Sequence, residues 1–231
     1  MIEFVEFPKM PRLKRECIIT EKIDGTNSSI LILPVADNPE PDQFYIRVCT
    51  PVDLYLIPGS RTRWISPNAG DDNYGFAGWV SAYAKQLSSL GPGHHFGEWW
   101  GSGIQRGYGL TKGDKRWSLF NVARWCLRGQ EPQRIPTGDP RIEKWQQVLP
   151  ECCSLVPVLY RGIFDTVRVD ECLADLGMNG SKASHGFKKP EGVVCFHVAG
   201  NFGFKTTLEK DHEHKGKLTS AMRTDTSKGG E

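Results

Sequence analysis

The spacing of hydrophobic residues changes several times along the chain, and each change marks an element. Two short apolar runs, "CII" at 17–19 and "SSILIL" at 28–33, flank the polar stretch "TEKIDGTN" at 20–27. Residues 17–33 therefore read as two strands around an Asp-Gly turn. "FYIRVCT" at 44–50 is a further strand. Over 75–90 the period becomes helical: Phe76, Trp79, Val80, Tyr83 and Leu87 share one face, and Gly91-Pro92-Gly93 ends the helix. Extended segments return at 94–100, "HHFGEWW", which runs into a glycine-rich loop, and at 116–125, "RWSLFNVARW". A short helix is expected over 139–148, stopped by Pro150. A strand at 155–162 and a helix at 165–176 follow. "GVVCFHV" and "NFGFKTT" then form a closing hairpin over Ala199-Gly200-Asn201. From residue 208 the chain has almost no apolar residues and reads as a frayed, disordered tail. No internal repeat is present. The expected fold is α+β, with mostly antiparallel sheets joined chiefly by hairpins and helices flanking them.

Composition narrows the class. With 231 residues, 39% apolar, and a formal net charge of +2, the chain suits one packed domain rather than a disordered polyelectrolyte. The small net charge conceals basic groups in "PRLKRE", "GSRTRW" and "TKGDKRW", the pattern of a domain with one basic face open to a polyanion. The seven cysteines include no CxxC pair, so neither a zinc site nor a disulfide framework is indicated. Most lie in apolar runs, as Cys17, Cys49 and Cys195 do, which fits a reducing cytoplasm. The N-terminal "MIEFVEFPKMPRLKR" lacks the apolar core of a signal peptide, and no stretch approaches membrane-spanning length, so no membrane partner is expected. Familiar phosphate loops fail: "GSGIQRG" has Arg106 where GxGxxG has its last glycine, and "HKGKLTS" is no P-loop. His212 and His214 read as a solvated pair in the polar tail.

Lys22 lies between Glu21 and Asp24, just ahead of Gly25. Taken singly it is a surface charge paired with one of those carboxylates. As a nucleophile it would have to shed its proton, through burial or a nearby cation such as a metal ion. Gly25 would let the backbone bend beside it. Further along, Glu98 ends a strand and can accept a bond from a ribose hydroxyl. Phe120 offers a face to a purine, and Glu191 stands before a strand where a carboxylate can hold a divalent ion. Lys205, Arg61 and Arg63 are groups able to meet phosphate. Each residue alone has a plainer reading, as core aromatic, solvated carboxylate or surface cation. Their order along the chain is what distinguishes them.

In that order, "KIDG", "FGEW", "SLFNV", "EGVV" and "FGFKTT" resemble motifs I, III, IIIa, IV and V of the covalent nucleotidyltransferase superfamily, which comprises ATP-dependent DNA ligases, RNA ligases and mRNA capping enzymes. The "GTN" after the lysine and "GSGIQRGYG" after Glu98 are most similar to the phage-type RNA ligases. The resemblance implies an ATP-grasp-like ligase fold, with residues 1–207 as the nucleotidyltransferase domain. It implies that Lys22 attacks the α-phosphate of ATP with Mg2+ or Mn2+ present, that AMP passes to a 5′-phosphate end, and that a 3′-hydroxyl displaces it. The implied partner is nucleic acid, as RNA strand ends or nicks. Catalytic roles fall to Lys22, Glu191 and Lys205, with Glu191 holding the metal and Lys205 at the α-phosphate. Glu98 would bind ribose, Phe120 would stack on adenine and Glu21 would help read it. Arg61 and Asn27 would lie near the phosphates or strand ends, while Asp24 and Gly25 shape the turn. Arg63, Arg106, Lys112, Lys115 and Arg116 would form a basic rim for the polynucleotide backbone.

Two departures from the family pattern stand out. Motif V normally reads KxK, whereas "FGFKTT" has Lys205 alone, so one contact is lost or comes from elsewhere. Ligases of this kind also carry an OB-fold or helical domain after motif V; the polar tail leads us to expect a bare nucleotidyltransferase domain here. The alternatives are a DNA ligase or capping-type guanylyltransferase, against which "GTN" and "GIQRGYG" speak, and a module that binds nucleotides or strand ends without turnover.

Overall fold

The computed structural model describes residues 10–36, 43–49, 53–135 and 143–209, together with 4, 5 and 7. Expected features at 37–42, 50–52, 136–142 and 210–231, including most of the polar tail, lie outside the described residues.

The first two strands are where expected but do not form a hairpin. β1 (Glu16–Lys22) pairs antiparallel with β10 (Val158–Ile163) and β11 (Gly192–His197), and β12 (Phe202–Thr207) closes a four-stranded sheet in the order β10-β1-β11-β12. β2 (Thr26–Pro34) instead pairs antiparallel with β4 (Leu54–Ser60) and β5 (Gly93–Gly101). With β3 (Ile46–Val48), β6 (Lys115–Leu119) and β9 (Cys153–Leu155) they form a six-stranded sheet in the order β3-β4-β2-β5-β6-β9. Residues 23–25 thus carry the chain from one sheet to the other. Both faces of β1 must be covered, because Ile18 and Ile19 point opposite ways and both are buried. A simple hairpin would cover only one of them.

The chain crosses back once more. The segment 155–162 is not one strand, because Pro157 has no N–H to donate. β9 ends at Leu155 in the large sheet, where it runs parallel to β6, and β10 starts at Val158 in the small one. The segment 116–125 is broken likewise. β6 stops at Leu119, a tight turn follows with Val122 N donating to Phe120 O at 2.8 Å, and Trp125–Cys126 (β7) pairs with Gln147–Val148 (β8). The helix expected over 139–148 does not form in its described part, 143–148, which is extended. Trp145 and Val148 there are about half exposed, so the stretch has no apolar face to bury, and Leu149 alone is anchored in the core.

Two helices flank the sheets. α1 (Phe76–Leu87) buries Phe76, Ala77, Val80, Ala84 and Leu87, one stripe at helical spacing. The Asp72 carboxylate caps its start, accepting from the N–H groups of Ala77 at 2.7 Å and Gly78 at 3.3 Å. The stripe packs on the outer face of the large sheet, where Phe76 stacks against Trp79 and meets Trp99 and Trp117. α2 (Thr166–Asn179), capped by Asp165, covers the outer face of the small sheet around Cys17, Ile19, Leu176, Val193 and Cys195. Between the sheets lies a third, smaller cluster of Ile18, Ile23, Trp100, Tyr108, Val122 and Val156. The layers run helix, sheet, sheet, helix, and the fold is α+β with mostly antiparallel strands, as expected. No described helix is long and apolar enough to cross a membrane.

Phe76 is fully buried at the centre of the tryptophan cluster. Phe76→Ala should cost about 3–5 kcal/mol, read as a lower urea midpoint with an unchanged slope.

Candidate active site

Strand alternation places the functional side chains. On β1, Ile18, Thr20 and Lys22 face the second sheet. Their register partners on β11 are Phe196, Val194 and Gly192, and Val194 in turn pairs with Lys205 on β12. Lys22 and Lys205 therefore share one face, two strands apart. On the opposing sheet Asn27 pairs with Glu98, and Phe96 precedes Glu98 on the same face of β5. Between the two walls opens a cleft of about 800 Å3 bordered by Glu21, Lys22, Asn27, Arg61, Glu98, Phe120 and Lys205. Seven of the expected residues are thus brought together, and Glu191 joins them through its bond to Lys22.

The lysine pairs with neither of its sequence neighbours. Its Nζ lies 2.6 Å from Glu191 Oε2, with side-chain exposures of 23% and 15%. Asp24 bonds Arg106 Nε at 3.0 Å. Glu21 points the other way, as alternation requires of a residue next to Lys22. Its carboxylate, 1% exposed, accepts from Ser181 Oγ at 2.6 Å and from the N–H groups of Lys182 at 2.7 Å and Ala183 at 2.9 Å. Although Glu21 borders the cleft, its carboxylate is spent on securing the loop after α2 rather than on reading a base.

The segment carrying Lys22 is held from several directions. Glu98 accepts from Gly25 N at 3.0 Å through one oxygen and from Asn27 Nδ2 at 2.9 Å through the other. The Tyr108 hydroxyl accepts from Asp24 N at 3.0 Å and donates to Lys22 O at 3.4 Å. Burial raises the pKa of Tyr108, so it remains a neutral donor. Gly25 is needed for close packing rather than for an unusual dihedral. It has no positive φ, but a Cβ there would lie 2.4 Å from Trp99 O and 2.7 Å from Trp100 Cβ.

The expected basic rim does not assemble. Arg106 is a clamp: besides Asp24 it bonds the carbonyls of Lys189 at 3.1 Å and Pro190 at 3.3 Å, directly before Glu191, and reaches Glu209 at 3.4 Å. One guanidinium so links the segments bearing Lys22, Glu191 and the end of β12. Arg63 pairs with Asp71, Lys115 donates to Tyr74 O at 2.6 Å, and Arg116 pairs with Asp114 while lying over Trp100. Lys112 is exposed in the loop before β6. None of these five borders the cleft.

Sequence reasoning missed Tyr108 and the clamping role of Arg106. The signal available was a tyrosine between two glycines, "GYG", in a loop otherwise too polar to be buried. Among the described residues no three His, Cys, Asp or Glu side chains gather as a ready metal cage. Glu191 is a single carboxylate at the cleft, a donor set that suits a hard divalent ion shared with phosphate oxygens.

Burial raises the Glu98 carboxyl to about 7, against the opposing pull of the Lys22 cation and the Gly25 N–H. A carboxyl raised in the folded state favours folding while protonated, so this contribution fades as pH climbs from the ordinary glutamate value toward 7. Glu98→Gln should flatten the decline in urea midpoint between about pH 5 and about pH 8. An unchanged slope in the variant would assign the pH dependence to another group.

Comparison with known proteins places these residues in a family. A family model described as RNA ligase matches residues 15–208. Among solved structures, a lysine-to-alanine variant of Naegleria gruberi RNA ligase with ATP and Mn is 16% identical, covers 84% of this chain and 50% of its own, and superposes with a TM-score of 0.47. The same ligase with PPi is 15% identical, covers 90% of this chain and 57% of its own, with a TM-score of 0.45. The chain spans about half the length of these solved ligases. No curated protein matches it. From Arg15 to Leu208, across both sheets and the cleft between them, the chain belongs to the RNA ligase family.

Proposed function

We propose that this protein is an ATP-dependent RNA ligase that works through a lysyl-AMP on Lys22 and joins 5′-phosphate to 3′-hydroxyl ends in a reducing cytoplasm, with residues 1–207 as its nucleotidyltransferase domain. The observation that carries this reading is the place of Lys22: on the floor of the cleft, 2.6 Å from Glu191, facing Glu98 and Phe120 on the opposite wall.

The chemistry follows from the side chains. A lysine amine attacks only when neutral, forming its bond to the α-phosphorus as the bond to pyrophosphate breaks. Glu191 would hold Mg2+ or Mn2+, and such an ion would favour the free amine and offset charge on the α-phosphate. Lys205, on the same face as Lys22, presents a cation to that phosphate. Glu98 has lone pairs left for a ribose hydroxyl after its two bonds to the turn. Phe120, 41% exposed just beyond β6, offers its ring to adenine.

The missing second lysine of motif V has a structural counterpart. The positions flanking Lys205 on its own face are Gly203 and Thr207, so β12 supplies one cation to the cleft. Arg61 borders the cleft from the opposite wall, and among the described residues no ion pair engages it. We assign it to the phosphates or to the incoming strand end.

Incubation with α-labelled ATP and magnesium or manganese, followed by a denaturing gel, tests this reading. Wild type should carry label from ATP and not from GTP, Lys22→Ala should carry none, and Glu191→Ala should lose roughly 100-fold or more in labelling rate. Label on Lys22→Ala would rule out the covalent mechanism. Bound ATP with no label under either metal would favour a binding module, for which the single motif V lysine speaks.

A further inference from the structure

The cleft wall formed by β5 continues outward beyond Glu98 as a row of aromatic rings, of which Phe96 and His94 line the same cleft as Lys22. Beyond Glu98, Phe96 and then His94 occupy the same face at two-residue steps. Trp64 completes the row. Ring centroids are 4.1 Å apart for His94 and Phe96 and 5.6 Å apart for Trp64 and His94, with tilts of 35° and 33°. The rings are not core: Trp64 is 42% and Phe96 53% exposed.

The row is built rather than incidental. Trp64 lies over Gly59, where a Cβ would come within 3.1 Å of its ring and 2.7 Å of Ser29 Oγ. The backbones of Gly59 and Trp64 bridge, and Ser60 N donates to Arg63 O at 2.8 Å, closing the loop that carries the tryptophan. A surface fixed in advance loses little entropy on binding. Arg61 leaves the same loop and borders the cleft.

We propose that Trp64, His94 and Phe96 form a stacking shelf for unpaired bases of the RNA strand next to its reacting end, with Arg61 meeting the strand's phosphates. This rests on the ligase reading and narrows its substrate: the strand is single beside the joint, not part of a nicked duplex. Aromatic faces capture bases splayed out of a helix, whereas a duplex offers its backbone and groove edges. The charge distribution agrees. The arginines and lysines expected to track the polynucleotide backbone lie away from the cleft, with Arg63, Arg106, Lys115 and Arg116 already bonded to protein groups. What adjoins the nucleotide site is aromatic ring surface with Arg61 and Arg124 beside it, the latter already donating to Leu90 O and Gln147 Oε1.

The test is fluorescence anisotropy of the full chain with a 5′-phosphorylated single-stranded RNA and with the same sequence in a nicked duplex, alongside protein labelling by α-labelled ATP. Trp64→Leu should weaken single-strand binding about tenfold and Trp64→Phe should restore most of it, as expected for one base stacked on one ring. Affinity for the nicked duplex should change by less than about twofold, since no base stacks there. Single-stranded RNA should quench tryptophan fluorescence in wild type more than in Trp64→Leu. Equal single-strand affinity of wild type and Trp64→Leu, or equal loss on both substrates, would overturn the shelf. Labelling reports separately on the ligase reading: wild type that takes no label yet binds single strands through Trp64 would sink the ligase and keep the shelf. If Trp64→Leu alone failed to label, Phe96→Leu would carry the same binding comparison, with the same two outcomes deciding it.

Discussion

Glu98 holds the site together. One oxygen fixes Gly25 and the other fixes Asn27, so a single buried carboxylate joins the segment between the sheets to the wall it faces. Those bonds add to the ladder in which Thr26 and Asn27 pair with Trp99 and Glu98, and they tie Gly25, just ahead of β2, to the same strand. The cost is a charge largely removed from water, visible in the raised pKa of Glu98. The interaction survives because two donors and a nearby cation compensate it. Functional sites commonly accept such local cost to fix geometry.

The surrounding groups share the task. Tyr108 and Arg106 come from one glycine-rich loop and hold opposite sides of Asp24, through its backbone and its carboxylate. Ser184 Oγ donates to Tyr108 O at 2.7 Å, and Ser181 of the same short loop holds Glu21. The segment around Lys22 is therefore constrained through both flanking carboxylates, and neither is spent on Lys22 itself. That leaves the amine to Glu191, just ahead of β11, a partner that a metal ion could share.

Much of this could be read in the chain, and the failures have a common cause. Apolar periodicity located α1, α2, β5 and the closing hairpin, since each buries one face whose pattern is local. The motif residues gather because alternation along β1, β2 and β5 sets which side chains meet across the cleft. Partnerships between sheets left no local trace: two strands around an Asp-Gly turn look the same whether they pair with each other or with others. The role of Glu21 was legible, because a residue adjacent to Lys22 on a strand must face away from it. Arg106 and Lys115 read as free basic groups because a sequence does not display the carbonyls, of Lys189 and Tyr74, that they reach. The broken segments at 116–125 and 155–162 show apolar runs shared between two buried clusters, which periodicity alone merges into one strand.

The whole six-stranded layer is an excursion from the smaller sheet: the chain leaves it after Lys22 and returns through Val156 and Pro157. Departure and return lie side by side, since Thr20 pairs with Val158 and Glu21 N donates to Pro157 O at 2.9 Å. With two covalent links side by side, the larger layer is anchored at one place, and Lys22, one residue past Glu21, ends its strand there, so both crossings fix its position at once.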